Sequence, residues 1–494
     1  MLQVSLRLRR AAARTVAAAA SLYLLLLIPP SEPEAPKAAS NRAFAWKQDE
    51  RWSALEARFN DARRLSHVEL AARIGGDAGA IAAKLDSLES RPYEPSGRIF
   101  QALENHLFEL APLVAASPSH LPMLIQLQSR LRSLVKQHSQ HWDMTSPVTR
   151  QTMYRLLYGS RAAVEEVVLQ ASADSIPGLI SGDDEPSSTP STRILGVTIH
   201  SGDILVSRGG APTSALIARG NDFPGNFSHV ALAHVDESTG IASLIESHIE
   251  RGVVLSTPEA YLRDKKLRVM VLRLRADLPA LKEDPLLPHR AAIQARQAVD
   301  AQHVPYDFEM DFRDHHKLFC SEVAASAYES QRVQLWMGIS RISSPGVRSW
   351  LAAFGVTHFE TQEPADLEYD PQLYVVAEWR DPETLFKDHV DNAVIDAMLE
   401  NADNGERLRY AWYLLPVGRL MKACSWLLNR FGSVGPIPEG MDAAAALRHK
   451  QFNAMHTAIQ ERTLALAREF KARQGYVAPY WELLKLARRA AEPI

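Results

Sequence analysis

Gly202-Asp203-Ile204-Leu205-Val206, Phe227-Ser228-His229-Val230-Ala231-Leu232, Leu244-Ile245-Glu246-Ser247-His248, Tyr306-Asp307 and Leu318-Phe319-Cys320-Ser321-Glu322-Val323 follow one another between residues 202 and 328. The first three are short apolar runs with β-branched residues, the pattern of buried strands. The last turns into Val323, Ala324, Ala325 and Ala327, residues compatible with a helix that opens at Cys320. Acidic Glu322 in the first turn suits such a start. A histidine on one strand, a carboxylate on the next and a cysteine at a helix start are the parts of a Cys-His-acid hydrolase site.

Each residue has a stated chemical reason. A thiol at a helix N-terminus faces the positive end of the macrodipole, which favours the thiolate, the competent nucleophile. A base has to be held rigidly within reach of that thiol, and His229 on a central strand meets the requirement. His234, five positions on, falls on the opposite face by strand alternation. Glu246 is placed to accept from the second ring nitrogen of His229 and fix its tautomer. His248, two residues later on the same face, is the alternative orienting group. An activated Cys320 is expected to alkylate near pH 6 well ahead of Cys424.

Working outward, further strands are expected at 253–255, 269–274 and 373–379, with a helix at 289–300. The fold class is α+β, with a small, mainly antiparallel sheet between residues 194 and 381. Residues 46–172 carry apolar residues at helical spacing, for example Leu103, Leu107, Leu110 and Val114. Breakers at Gly75-Gly76, Pro92-Tyr93 and Pro118 divide that region into about five helices. Residues 173–193 are polar and breaker-rich and read as a linker, as do the Pro- and Ala-rich residues 31–45. Residues 382–494 return to helical spacing. Within them, Tyr410–Leu428 is unusually apolar and aromatic; it reads as a core helix interrupted at Pro416 or as an interfacial helix.

The N-terminus sets Arg7, Arg9, Arg10 and Arg14 before the apolar run Thr15–Ile28. That matches a secretory signal or a retained anchor over residues 1–30, and it is short of the ~20 residues of a spanning helix. Export to the periplasm or cell envelope, with a possible inner-membrane anchor, is the localisation expected from it. Across all 494 residues the net charge is −3, which gives no reason to expect a nucleic-acid partner. Two cysteines, Cys320 and Cys424, exclude a disulfide framework and a Cys-rich zinc site. The chemistry needs no cofactor and no metal.

Taken together and in this order, the motifs resemble the circularly permuted papain-like hydrolases of the YiiX type, in the NlpC-type superfamily. Lecithin retinol acyltransferase is a more distant relative. The resemblance covers about residues 198–380. It implies a permuted papain-like domain with nucleophile Cys320, base His229 and orienting acid Glu246, and with Tyr306 lining the substrate site. It implies a thioester acyl-enzyme and an amide or ester substrate, peptide-linked or lipid-linked. A different class is also open: a non-catalytic lipid or cell-wall binding module on the same fold.

Overall fold

The computed structural model describes residues 14–18, 20–30, 43–46, 49–172, 178–194, 196–263, 266–380, 382–431 and 433–492. The basic residues Arg7, Arg9 and Arg10 and most of the 31–45 linker lie outside the described residues.

Between residues 49 and 168 the chain is helical: Asp49–Ala62, His67–Ser90, Arg98–Ala116, Leu121–Ser139, Pro147–Met153 and Gly159–Val168. A π-helical turn, Tyr154–Tyr158, joins the last two. The Ser66 hydroxyl accepts from the backbone N–H of Glu69, and the Glu69 carboxylate accepts from the backbone N–H of Ser66, a capping box that fixes the start of the second helix. That helix does not break at Gly75-Gly76 as expected. Its buried stripe of Leu70, Ile74, Ile81, Leu85 and Leu88 outweighs the ~1 kcal/mol that each interior glycine costs relative to alanine.

The strands are β1 (Leu179–Ser181), β2 (Ser191–Ile194), β3 (Val197–His200), β4 (Ile204–Gly209), β5 (His229–Val235), β6 (Ala242–His248), β7 (Gly252–Ser256), β8 (Lys266–Leu274), β9 (Ser340–Arg341), β10 (Glu360–Thr361) and β11 (Leu373–Trp379). Seven form one sheet in the order β1-β11-β8-β4-β5-β6-β7. Every neighbouring pair in it is antiparallel. This is the α+β class read from the sequence, with helical regions before and after. Two features fell inside the stretch read as a linker: β1, which pairs along β11, and the start of the β2–β3 hairpin. A three-residue edge strand in polar sequence has no periodicity to announce it.

One face of the sheet packs on Val323, Ala324, Ala327 and Tyr328 of the helix Cys320–Glu329, through Val230, Leu232 and Ile245. The other carries Ala231, Ala233, Val235, Leu244 and Tyr261. The helical flanks meet the sheet through buried charge. Glu165 bonds Arg268 of β8 at 2.7 Å and Arg380 at 3.3 Å, and Arg268 reaches Asp388 of the helix Pro382–Asp403 at 2.6 Å. Arg161 bonds Glu368 at 2.5 Å. Flanks and sheet therefore share one ionic core.

Candidate active site

The strand register brings the polar residues together. Ala231 of β5 lies opposite Glu246 of β6, and opposed residues of an antiparallel pair share a face. His229, two positions before Ala231, is then the diagonal neighbour of Glu246. Its Nε2 lies 2.6 Å from Glu246 Oε2. His248 Nε2 lies 3.0 Å from the other oxygen, Oε1. Glu246 thus sits between two imidazoles, and of Glu246 and His248 it is Glu246 whose oxygen lies against the His229 ring nitrogen. With Nε2 engaged, Nδ1 is the nitrogen left for a thiol.

Charge follows burial. Burial pushes the Glu246 carboxyl up, and its contacts with the His229 and His248 rings outweigh it, leaving its pKa well below the usual carboxylate range. Burial holds the His229 imidazole below its ordinary value, against the hydrogen bond to Glu246. His229 is therefore a neutral imidazole at neutral pH, beside an ionised Glu246.

Cys320 is the first residue of its helix, as expected, and Phe319 caps it in extended conformation. Glu322 reaches back to accept the Phe319 N–H at 2.7 Å. Ser247 of β6 donates to Leu318 O at 2.6 Å, tying the approach to Cys320 to the strand that carries Glu246. The thiol is only 4% exposed. Its Sγ lies 3.8 Å from the carbonyl of Ser228, and the N–H of Val230 faces it. No hydrogen bond joins Sγ to the His229 ring. The pleat gives the reason. Val230 and Leu232 point to the Cys320 helix, and His234 on the same parity reaches that helical layer, its ring 5.8 Å from His289. His229 and Ala231 point the other way, with the His229 ring 6.4 Å from that of Tyr261. The sulfur therefore meets the strand at its backbone.

This changes the expected ionisation. Burial pushes the Cys320 thiol up to about 12, and the N–H groups of Val230 and Ser321 recover only part of it. The helix terminus alone does not yield a thiolate when the sulfur is this enclosed. The expected order of alkylation is then reversed. In the free protein, exposed Cys424 should react with iodoacetamide on the order of 10²-fold faster than Cys320, read by peptide mapping over time.

Tyr306 lies beside the thiol. Burial raises its hydroxyl well above the usual value. Gly252 makes this placement feasible: its φ is +68°, and a Cβ there would stand 2.1 Å from Val304 O, two residues before Tyr306. Glu363 was not read from the sequence. It is buried, and its carboxyl is raised well above the usual range by that burial. A lone glutamate before Pro364 carries no motif that would single it out. A cavity of about 440 Å³ opens between the helical flanks, walled by Trp52, Tyr154, Arg219 and Trp481; neither Cys320, His229 nor Glu246 lines it.

A helix-borne cysteine beside a strand-borne histidine with its carboxylate is the arrangement of papain-like cysteine hydrolases. Residues 198–377 match the family model of the permuted papain-like amidases, YaeF/YiiX, C92 family. That segment is a little over a third of the chain, spans β3 to β11 and contains Cys320, His229 and Glu246. The match supports amidase-type hydrolase chemistry for it. No curated protein and no solved structure matches the chain.

Proposed function

We propose that this protein is a cysteine amidase or acyltransferase of the NlpC-type superfamily. In this reading it cleaves an amide or ester of a peptide or lipid-linked substrate through a thioester, and works in the cell envelope. The observation that carries the reading is the His229–Glu246 bond of 2.6 Å one residue from the backbone that touches the Cys320 sulfur.

Cys320 is the nucleophile. A change of its side-chain rotamer carries Sγ toward His229 Nδ1 when substrate opens the site, since catalytic hydrogen bonds tighten in the working complex. Sγ attacks the carbonyl carbon while Nδ1 takes the thiol proton. The imidazolium so formed is stabilised by Glu246, which stays ionised. Backbone N–H groups at the start of the Cys320 helix hold the oxyanion. His229 returns the proton to the leaving amine or alcohol as the C–N or C–O bond breaks. Water, or another acceptor, then releases the acyl group from the thioester.

Because thiol and imidazole both start neutral, turnover should rise with pH as His229 loses its proton, on the acid side of ~6.5. Above that it should stay level, with no fall at the histidine pKa. A thiolate–imidazolium pair would instead give a bell. Glu246→Gln, which keeps an acceptor oxygen and gives up the charge, should lower kcat by about 10²- to 10⁴-fold. The reading is tested by a panel of acyl and peptidyl amides and esters, assayed with wild type and with Cys320→Ala. Hydrolysis that survives the replacement unchanged sinks it. The binding-module reading predicts substrate retention without turnover by either protein.

A further inference from the structure

The helix Leu415–Arg430 is built inside out. Toward the protein it buries Leu415, Pro416, Gly418 and Ser425. Toward solvent it turns Val417, Leu420, Met421, Leu427 and Leu428, which recur at helical spacing on one face. Aromatic residues bracket that face: Trp412 is 64% exposed, Trp426 63% and Phe431 77%. An ordinary surface helix shows the reverse, and contiguous exposed apolar surface marks an interaction site.

A second exposed apolar helix is fastened to it. Residues 20–26 are helical, and Leu22, Leu24 and Leu25 face solvent. The carbonyls at the end of that segment are capped by Arg419, which donates to Leu26 O at 2.9 Å, Leu25 O at 3.2 Å and Ile28 O at 2.7 Å. Lone C-terminal carbonyls of a helix favour such a cation. Cations predominate within these two stretches of sequence. Residues 407–430 hold Arg407, Arg409, Arg419, Lys422 and Arg430 and no acid; residues 1–30 hold four arginines and no acid. The chain as a whole is net negative, so these two stretches depart from its overall balance.

We infer that the helix Leu415–Arg430 and the N-terminal apolar helix together form a face that docks on an anionic lipid bilayer. Exposed leucines with Trp, Tyr and flanking Arg and Lys are the composition of an interfacial helix, and anionic headgroups supply the complementary charge. Among the described residues no helix is long and apolar enough to cross a membrane, in keeping with a face that lies on the surface.

The inner side of the helix is linked to the candidate active site through one loop. Lys422 Nζ donates to Pro438 O at 2.8 Å, and Ser425 Oγ accepts from Ile437 N–H at 2.8 Å. Ile437 and Met441 pack on Phe308, whose ring stands 5.0 Å from that of Tyr306, beside Cys320. A face docked on the bilayer is thus linked, through the loop holding Ile437 and Met441, to the wall of the candidate site. Resting on the hydrolase reading, this selects a membrane-presented amide or ester as the substrate class.

Flotation of the full chain with phosphatidylcholine vesicles, with and without phosphatidylglycerol, tests the inference. The protein should float with the anionic vesicles and be released by salt. Leu420→Glu with Leu427→Glu should cut the bound fraction at least about tenfold at unchanged thermal melting. If the double variant does not fold, Trp426→Ser is the substitute and should weaken binding in the same direction. A wild type that stays free of anionic vesicles overturns the inference. So does a double variant that binds as wild type does, or a wild-type dimer that these substitutions dissociate while neither form binds vesicles. Cys320→Ala should float as wild type, so an absence of turnover leaves the docking result standing on its own.

Discussion

Cys320→Ala is expected to lower kcat/KM by at least about 10³-fold on whatever amide or ester the wild type turns over. The replacement removes the sulfur that carries the acyl group in the proposed mechanism. What survives is the contribution of substrate binding and of the oxyanion donors, which in other nucleophile-deleted hydrolases leaves residual rate over water. Little structural cost accompanies it. The sulfur is enclosed, and it makes one long contact to Ser228 O and receives the N–H groups of Val230 and Ser321. Melting of the variant should therefore stay close to wild type, which separates lost chemistry from lost fold. Cys320→Ser should be nearly as inactive, since a hydroxyl is a far weaker nucleophile than a thiol under the same neutral base.

Glu165→Ala should destabilise the fold by about 3–5 kcal/mol, read by urea denaturation. Glu165 is 1% exposed and lies among three guanidinium groups, those of Arg161, Arg268 and Arg380. Burial alone would raise its pKa; the three arginines together bring it well below the usual carboxylate range. Removing the carboxylate leaves their charge buried and short of a partner, and that residue of uncompensated charge is the dominant cost. The sign with pH follows from the depressed value. The contribution of Glu165 is fully present above the ordinary glutamate pKa of ~4.3 and is lost as pH falls through the folded-state value. Because Glu165 belongs to the first helical region, Arg268 to the sheet and Asp388 to the last, the variant should lose its helical and sheet signals in one transition.

These two results bear on what could be read before the structure. The strands β4, β5, β6, β8 and β11 were legible because each holds a short apolar run, several of them β-branched, set off by turn residues. The helix at Cys320 was legible from four small or branched residues after an acidic first turn. The His229–Glu246 contact followed from strand alternation once both strands were placed. The ionic core was not legible: Arg161, Glu165, Arg268 and Asp388 each look like a solvated surface charge until tertiary packing buries them. Nor was the state of the thiol. Position at a helix start predicted a lowered pKa, and burial, which no local pattern reports, reversed it. The exposed side of Leu415–Arg430 was visible as composition, while its orientation required Gly418 and Ser425 to be seen facing inward.

The central claim is that Cys320 carries the acyl group. Rapid acid quench of the wild type during turnover of a reactive acyl ester, followed by intact mass and peptide mapping, tests it most directly. The account predicts one acyl adduct per chain, labile to hydroxylamine, on the peptide containing Cys320, with the same yield when Cys424 is replaced by serine. Full turnover with no adduct at Cys320, or an adduct confined to Cys424, would contradict it.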